Sequence, residues 1–516
     1  MTLFESTLLL LAIALVLLRL ARRLRVPYPA MLALVGGCVA AMPWVPRVGI
    51  EPRLALALFV APAVMDTAFD MPPRELLRNW LPLTSLAVVL VLLTAAAVAW
   101  TGWALEGMPV AAALALGAIV SPPDAAAAAA VLQEFNLPRR TMAILQGESL
   151  LNDAVALLIF GVAVGATTAP GAWAESVPGL LIAVPGGALV GAAAGLIAMR
   201  VIRPQGGSLA SIIAQFLVTY GTWLLADRLH LSSIVAVVAL AAVVARYLPG
   251  RTSARDRVNS NAVWATVVFV LNVLAFLLMG LQARVIFSEL QGAALWHALG
   301  FAGSVLAVVI GVRFAWVMTY GWVMRRYRAF AAKRSARPFP VPPARIGVLV
   351  SWCGMRGLVT LATAFALPLQ FPNRNLIVLS AFTVVLGTLI VQGFTIRPLM
   401  ALLRIAPDHA LADAVCEARS AMLDAALGAL AGRAGEAAAS LRSEYGAARA
   451  ANTDVTRPLT DYDGLRMVAT NAQRQMLAEW RRHGRIDDDA YHLLEGELDR
   501  AELYAASVDQ FGAQES

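Results

Sequence analysis

Charged side chains are scarce in this chain. Only 14% of its 516 residues are Asp, Glu, Lys or Arg, 59% are hydrophobic, and the mean hydropathy is +0.70. A soluble domain carries roughly 25% charged residues. The composition excludes an ordinary soluble protein and predicts an all-α polytopic membrane protein.

Cysteine and histidine are also few. The three cysteines, Cys38, Cys353 and Cys416, are far apart and form no CxxC motif, which excludes a disulfide scaffold or a structural zinc site. The five histidines lie in loops, span ends or the C-terminal part, so a histidine metal site or proton wire is not expected. No HExxH motif or nucleophile–base pair occurs inside the apolar spans, which argues against a membrane-embedded enzyme. No cofactor is predicted.

Lysine is nearly absent, because Lys333 is the single lysine among the 41 basic residues. The arginines lie in short loops between apolar spans rather than on one folded face, so a nucleic-acid partner is not predicted. The N-terminus has no basic segment before its first apolar run. We therefore expect a first membrane helix there and not a cleaved signal peptide.

Long apolar runs are abundant. A membrane-spanning helix needs about 20 residues. By this measure we count about thirteen spans, with approximate limits 4–22, 28–44, 53–69, 80–103, 108–131, 141–166, 177–200, 208–227, 232–248, 262–283, 296–324, 344–369 and 375–403.

The loop charges orient these spans. With the N-terminus outside, the inside loops hold 21 basic residues and the outside loops hold 5. Because basic residues favour the cytoplasmic side, this asymmetry supports thirteen crossings and places residues 405–516 in the cytoplasm. That tail is rich in Ala, Arg, Glu and Asp and shows helical spacing, with apolar positions at Leu465, Val468, Ala472, Met476 and Trp480. We expect a helical regulatory or packing appendage, and a sensing role alongside transport stays open.

Two of the spans are interrupted. Ser121-Pro122-Pro123-Asp124 lies within 108–131, and Cys353-Gly354-Met355-Arg356-Gly357 lies within 344–369. Proline removes a backbone donor and disfavours helix just before it. In the predicted topology the two broken spans run in opposite directions. This arrangement is typical of a transporter built from inverted repeats around a site near the membrane midplane.

The span at 141–166 carries two carboxylates, Glu148 and Asp153. A charge at membrane depth costs about 3 kcal/mol on insertion scales, so it must be paired, hydrated or used. On a helix, Ser149 shares one face with Asp153, and Asn152 shares the adjacent face with Glu148. The first pair offers a hydroxyl and a carboxylate, and oxygen ligands of this kind suit a hard cation such as Na⁺.

Asp124 is a second intramembrane carboxylate, beside the first break. The break frees backbone carbonyls near Pro123 that can complete a cation shell. We hypothesise that Asp153 is the exchanging site, because burial favours its protonated form and a bound cation favours its ionised form. One carboxylate that binds a proton or a cation in turn is a minimal antiport mechanism.

Arg356, at the second break, is the expected counter-charge. We hypothesise that it pairs with Glu148 and that Asn152 tethers the pair. The alternative is that Glu148 and Arg356 form a purely structural salt bridge.

Two other groups of residues in the spans are expected to have structural roles and not to bind ions. Asp66 and Asp70 lie near the inner end of the span at 53–69 and are expected to be interfacial. Gly187, Gly191 and Gly195 form a small-residue stripe that predicts helix packing, within the chain or at a protomer or domain contact.

Four segments resemble a known family. The stretch Gly147-Glu148-Ser149-Leu150-Leu151-Asn152-Asp153-Ala154 resembles the signature of the electroneutral sodium/proton exchanger branch of the cation:proton antiporters. Residues 121–124 lie where that family has a Ser-x-Thr-Asp-Pro break. Residues 272–282 are similar to its Asn-x-x-x-Phe-x-x-x-Gly-Leu stretch, and 352–357 to its Trp-x-Gly-x-Arg-Gly segment. The resemblance spans most of residues 1–403, and residues 482–503 weakly resemble the tails of bacterial members.

The resemblance implies an architecture of thirteen helices with two broken, crossing helices. It implies a core domain at roughly 80–166 and 296–403, and a dimerisation domain at roughly 4–69 and 177–283. It further implies a homodimer in the bacterial inner membrane that works by elevator-like alternating access.

The resemblance also implies residue roles. Asp153 becomes the acid that binds the ion or the proton, with Ser149 and Asp124 in the cation site and Glu148, Asn152 and Arg356 in a supporting network. The Asn152–Asp153 pair implies one-for-one electroneutral exchange of a monovalent cation, Na⁺ above all, for H⁺. At the first break the family's threonine is Pro123 and its proline is Ala125. Pro123 contributes only a carbonyl, which leaves the choice among Na⁺, Li⁺ and K⁺ open.

One further function class stays open on the same scaffold. A K⁺ efflux pathway or cation channel predicts an electrical current, whereas electroneutral exchange predicts none.

Overall fold

A computed structural model of the chain describes residues 3–24, 28–40, 54, 56–71, 73–124, 132, 137–167, 172–201, 208–247, 254–289, 292–332, 343–405, 410–451, 461–483, 485–486, 490, 494–495 and 497–499. Throughout these residues the regular structure is helical, with no strand. They fall into two compact units, Met1–Ala406 and Pro407–Ser516.

We call the unit Met1–Ala406 the membrane unit, and the described residues of its first half form eight α-helices. In chain order they are α1 (Leu3–Leu24), α2 (Tyr28–Ala40), α3 (Ala61–Asp70, preceded by a π-helical segment at Leu56–Val60), α4 (Pro73–Arg78), α5 (Trp80–Glu106, π-helical at Ser85–Leu90), α6 (Val110–Val120), α7 (Arg139–Gly165) and α8 (Ala172–Val201).

The second half continues with α9 (Ser208–Arg228), α10 (Ser233–Tyr247), α11 (Ala254–Glu289), α12 (Ala293–Ala332), α13 (Ala344–Trp352), α14 (Leu358–Phe365) and α15 (Arg374–Leu403). Each of the predicted spans overlaps one of these helices or a broken pair of them. Within the described part of the chain, six helices are long and apolar enough to cross a membrane, and they lie at Trp80–Glu106, Arg140–Gly165, Ile182–Arg200, Asp256–Leu277, Ala293–Tyr327 and Arg374–Leu403.

The interruption within 344–369 is confirmed, and at the first predicted interruption the helix ends where the prediction places the break. Helix α6 ends at Val120, one residue before Ser121-Pro122-Pro123, because the prolines supply no backbone donor. Residues 125–131, where the rest of this span is predicted, lie outside the described residues. The other broken span ends its first half at Trp352 and begins its second half at Leu358.

Another proline explains a side-chain contact at the start of α3. Pro62 has no N–H, so the carbonyl of Leu58 lacks its helical donor. The hydroxyl of Tyr220, on α9, donates a hydrogen bond to this carbonyl at 3.2 Å. In a bilayer every backbone polar group needs a protein partner, and Tyr220 supplies one here.

The glycine stripe of α8 packs inside the chain against α10. A Cβ added to Gly191 would lie 1.9 Å from the carbonyl oxygen of Ala236, and one added to Gly187 would lie 2.6 Å from that of Ser232. The stripe is therefore a helix contact within the chain and not a contact between protomers.

The tail forms α16 (Ala410–Leu430), α17 (Glu436–Ala451) and α18 (Asp461–Arg482), which confirms its helical character. The apolar positions that indicated this helix are largely exposed on α18. Val468, Met476 and Trp480 are 66%, 53% and 45% exposed, whereas Thr470 and Leu477, on the opposite side of the helix, are buried.

Candidate functional site

The two helix breaks contact each other through their backbones. The amide of Asp124, in the first break, donates a hydrogen bond to the carbonyl of Met355, in the second, at 2.7 Å. The amide of Leu358 in turn donates to Oδ2 of Asp124 at 3.3 Å. A Cβ at Gly357 would lie 1.6 Å from that oxygen, so only glycine allows this approach.

This contact places Asp124 at the start of α14. The first amides of a helix have no intrahelical acceptor and carry a partial positive charge. The Asp124 carboxylate accepts one of these orphan N–H groups. The break in one span therefore holds the carboxylate from the other span in place.

We call the contact between the two breaks the crossing. Helix α7, which holds the signature residues, is continuous beside it. Glu148, Asn152 and Asp153 are 1%, 0% and 7% exposed, and Ser149 is half-buried. The signature segment therefore lies in the interior, where a charge is stable only with a partner or a ligand.

Glu148 pairs with Arg313, a residue of α12 that the sequence analysis did not select. The guanidinium Nη2 donates to Oε2 at 2.9 Å and Nη1 donates to Oε1, which makes the pair bidentate. Nε and Nη2 of Arg313 also donate to the carbonyl of Val350, at 3.3 and 3.0 Å. Both members of the pair are 1% exposed.

The predicted direct pairing of Glu148 with Arg356 is therefore wrong. Arg356 instead donates from Nε to the carbonyl of Val120 at 3.1 Å, from Nη2 to that of Ser121 at 3.2 Å, and from Nη1 to that of Gly354. Val120 and Ser121 form the C-terminal end of α6, where the partial charge is negative. The end of α6 offers Arg356 two carbonyls, its own break offers a third, and Arg313 already pairs with Glu148.

Asn152 was predicted to tether the Glu148–Arg356 pair, and it forms a different hydrogen bond. Its Nδ2 donates to the carbonyl of Pro123 at 3.2 Å, and within the described residues its Oδ1 has no partner. Asn152 thus links α7 to the first break rather than to the Glu148 pair. The predicted carbonyl of Pro123 does lie at the site, as an acceptor for this amide.

Asp153 differs from the other buried charges. Its electrostatic interaction is with Asp124, a like charge, and no arginine in the described part of the chain forms an ion pair with it. Arg356 interacts electrostatically with both Arg313 and Glu148.

The crossing therefore collects two guanidinium groups and three carboxylates. If all five are ionised, one negative charge is left over. A single monovalent cation or a single proton neutralises it.

Arg313 was detectable from the sequence. It is an isolated arginine inside the apolar span 296–324, which is the same signal that identified Glu148 and Asp153. The acceptor role of Thr388, whose Oγ1 receives the amide of Arg356 at 3.0 Å, had no such signal because threonine is common in apolar helices.

Comparison with known proteins supports the resemblance. The family model described as "Sodium/hydrogen exchanger, transmembrane" matches residues 9–402. An Na(+)/H(+) exchanger of Mycobacterium tuberculosis is 31% identical over 94% of this chain and 93% of its own length. The Na(+)/H(+) antiporter NhaH of Halobacillus dabanensis is 27% identical over 77% of this chain and 97% of its own.

A solved structure has a similar fold. The sodium proton antiporter MjNhaP1 from Methanocaldococcus jannaschii aligns with 78% of this chain and 99% of its own, with a TM-score of 0.61 and 15% identity. The family model covers most of the membrane unit, and its members are transporters rather than enzymes. The chain belongs to the sodium/hydrogen exchanger family.

Proposed function

We propose that this protein exchanges a monovalent cation for a proton across the membrane, with Asp153 binding the cation and the proton in turn. One observation carries the proposal. Asp153 is a buried carboxylate whose charged neighbour is another carboxylate, Asp124, while the arginines of the crossing bind elsewhere. A site of this kind is stable only when a positive charge occupies it.

The charge balance supports one-for-one electroneutral exchange. Arg313 neutralises Glu148, and Arg356 adds one positive charge against the two remaining carboxylates, Asp124 and Asp153. One surplus negative charge remains, so the loaded site is neutral with either ion. Moving a neutral site across the bilayer avoids the cost of carrying a net charge through it.

The cation ligands are proposed from the geometry. Asp153 and Ser149 lie one turn apart on α7, Asp124 interacts electrostatically with Asp153, and the carbonyl of Pro123 accepts a hydrogen bond from the neighbouring Asn152. Oxygen ligands of this type suit a hard monovalent cation. Asn152, Arg356 and the Glu148–Arg313 pair hold this arrangement in place.

Na⁺ is the proposed substrate, because the family description and the NhaH relative both name it. A relative from Bacillus pumilus, 30% identical over 71% of this chain, is named "Sodium, potassium, lithium and rubidium/H(+) antiporter". Li⁺ and K⁺ therefore belong in the same assay, since Pro123 offers only a carbonyl at its position.

We further propose thirteen crossings, inverted repeats and a division into two domains. Helix contacts are dense among α2, α3, α8, α10 and α11, and dense again among α5, α6, α7, α12 and α15. The first set matches the proposed dimerisation domain (4–69 and 177–283), and the second matches the core domain (80–166 and 296–403). A homodimer in the plasma membrane, with the N-terminus outside and the tail in the cytoplasm, completes the proposal.

Exchange in proteoliposomes tests the function. Cation-driven dissipation of a pH gradient would be measured with Na⁺, Li⁺ and K⁺ between about pH 6 and 9, because the exchanging acid must titrate there to work. We expect exchange by the wild type, no exchange by Asp153→Asn, and retained exchange by Asp70→Asn, a half-exposed control on α3. An imposed membrane potential should not change the rate. A potential-driven current with no coupled proton movement would contradict antiport and favour a channel.

A further inference from the structure

Gln392, on α15, is a buried amide that the exchange mechanism above does not use. It is 0% exposed, and among the described residues neither its Nε2 nor its Oε1 has a hydrogen-bond partner. Buried side-chain amides almost always have partners. An amide both donates and accepts, so this one calls for a ligand that can do the same.

The neighbours of Gln392 fix its position. One turn before it, Oγ1 of Thr388 accepts the amide N–H of Arg356 at 3.0 Å. One turn after it, Oγ1 of Thr395 accepts the indole N–H of Trp352 at 2.8 Å. Positions 388, 392 and 395 share one helix face. The side chain of Gln392 therefore projects from α15 between two contacts to the broken span, at the height of residues 352–356 along the helix.

The broken span offers hydrogen-bond acceptors at this level. Helix α13 ends at Trp352, and the last carbonyls of a helix have no intrahelical donor. The carbonyl of Leu349 receives the amide of Cys353, and that of Val350 receives Arg313. The carbonyls that follow, at 351–353, are the groups that a ligand of Gln392 would meet.

The charges around the break select the ligand. Arg313 packs against Gly354, because a Cβ added to this glycine would lie 2.4 Å from Cδ of Arg313. Arg356 donates a hydrogen bond to the carbonyl of the same glycine. A cation here would lie beside the Arg356 guanidinium, which forms no ion pair among the described residues, and carbonyl oxygens disfavour an anion. A small neutral molecule that both donates and accepts fits, and buried water typically makes about three such bonds.

We propose that Gln392 binds a buried water molecule that links its amide to the carbonyl end of α13. Through this link Gln392 is a positioning residue that keeps the break, and with it Arg356, in register with the ion site. The transport part of this inference rests on the proposed exchange function. The water site itself does not.

Substitution at this position tests the positioning role. Gln392→Met keeps the length of the side chain and removes both polar atoms. We expect the exchange rate to fall about tenfold or more, since a small misplacement near a reacting group is costly, with a shifted pH profile and a changed KM for Na⁺. Gln392→Asn, which retains the amide, should restore part of the rate. Ser380→Ala is the matched control, because Ser380 is also fully buried and unpartnered among the described residues of α15.

If the Gln392 amide is unsatisfied and has no ligand, Gln392→Met should not lower the exchange rate. Replacing it with an apolar side chain of similar shape is then neutral or stabilising. Wild-type exchange by Gln392→Met, together with an unchanged or raised melting temperature, would overturn the proposal.

A second measurement needs no variant. A cryo-EM map of the wild type that resolves ordered water should show density about 2.7–3.2 Å from the Gln392 amide and from a carbonyl at 351–353. A map with no such density overturns the inference even if Gln392→Met fails to fold. Density in a protein that exchanges no cation would leave the water site standing and reject the exchange function instead.

Discussion

At the residue scale, the crossing is governed by which buried charge has which partner. Arg313 holds Glu148 in a bidentate pair, Arg356 binds the carbonyl end of α6, and Asp153 interacts with the like charge of Asp124. The pairing separates the charges that have a partner of opposite sign or a set of carbonyl acceptors from Asp153, the proposed exchanging acid. The sequence alone located all the carboxylates, because charge in an apolar span is conspicuous. It led to Arg356 as the partner of Glu148 and not to Arg313, because which arginine meets Glu148 depends on which helices are in contact.

Removing Arg313 should destabilise the protein strongly, because Glu148 would be left as an uncompensated buried charge. We expect Arg313→Met to lower the free energy of unfolding by about 3–5 kcal/mol. Adding Glu148→Gln should recover much of that loss. Thermal unfolding of the purified protein measures both, with the exposed Arg246→Gln on α10 as a control. Equal stability of Arg313→Met and the wild type would contradict the pairing.

Gly357 should tolerate no side chain. In Gly357→Ala the new Cβ would occupy the position of the Asp124 carboxylate, 1.6 Å from Oδ2. We expect loss of exchange through displacement of Asp124. Gly300→Ala on α12 is the matched control, because nothing lies within 4 Å of its Cβ position, and it should retain full exchange. Active Gly357→Ala would mean that Asp124 does not need this approach.

At the element scale, the backbone breaks and the tight helix contacts shape the molecule. Proline predicted the end of α6 correctly, and glycine predicted the break between α13 and α14, because the effect of these residues on a helix is local. The contact between the breaks and the packing side of α18 were not predictable in the same way. Both depend on which elements meet in space, and residue spacing carries no such information.

The α8–α10 contact supplies a prediction at this scale. Gly191→Ala places a Cβ 1.9 Å from the backbone oxygen of Ala236, which cannot move aside as a flexible side chain could. We expect overpacking to cost about 1–3 kcal/mol of stability. Gly179→Ala on the same helix has nothing within 4 Å and should be neutral or slightly stabilising. Similar melting temperatures for the two variants would argue against the close contact.

At the scale of the whole molecule, the membrane unit and the tail are separate compact units. All the residues of the proposed exchange site lie in the membrane unit, which the family model also covers at residues 9–402. The sequence predicted this division from composition, since the apolar spans end where the charged tail begins. The number of crossings, their orientation and the dimer stay predictions.

Deleting residues 405–516 should therefore leave the exchange reaction in place. We expect the truncated protein to retain the cation selectivity and the Asp153 dependence of the full chain in proteoliposomes, with any change confined to regulation or assembly. Loss of exchange by a truncated protein that is folded and inserted would show that the tail takes part in transport.

The central claim is that one carboxylate, Asp153, binds either a cation or a proton. The most direct measurement is the number of protons released when Na⁺ is added to the purified protein in weakly buffered detergent solution. The account predicts about one proton released per cation bound by the wild type, and none by Asp153→Asn. Proton release that persists in Asp153→Asn, or Na⁺ binding by the wild type with no proton release, would contradict it.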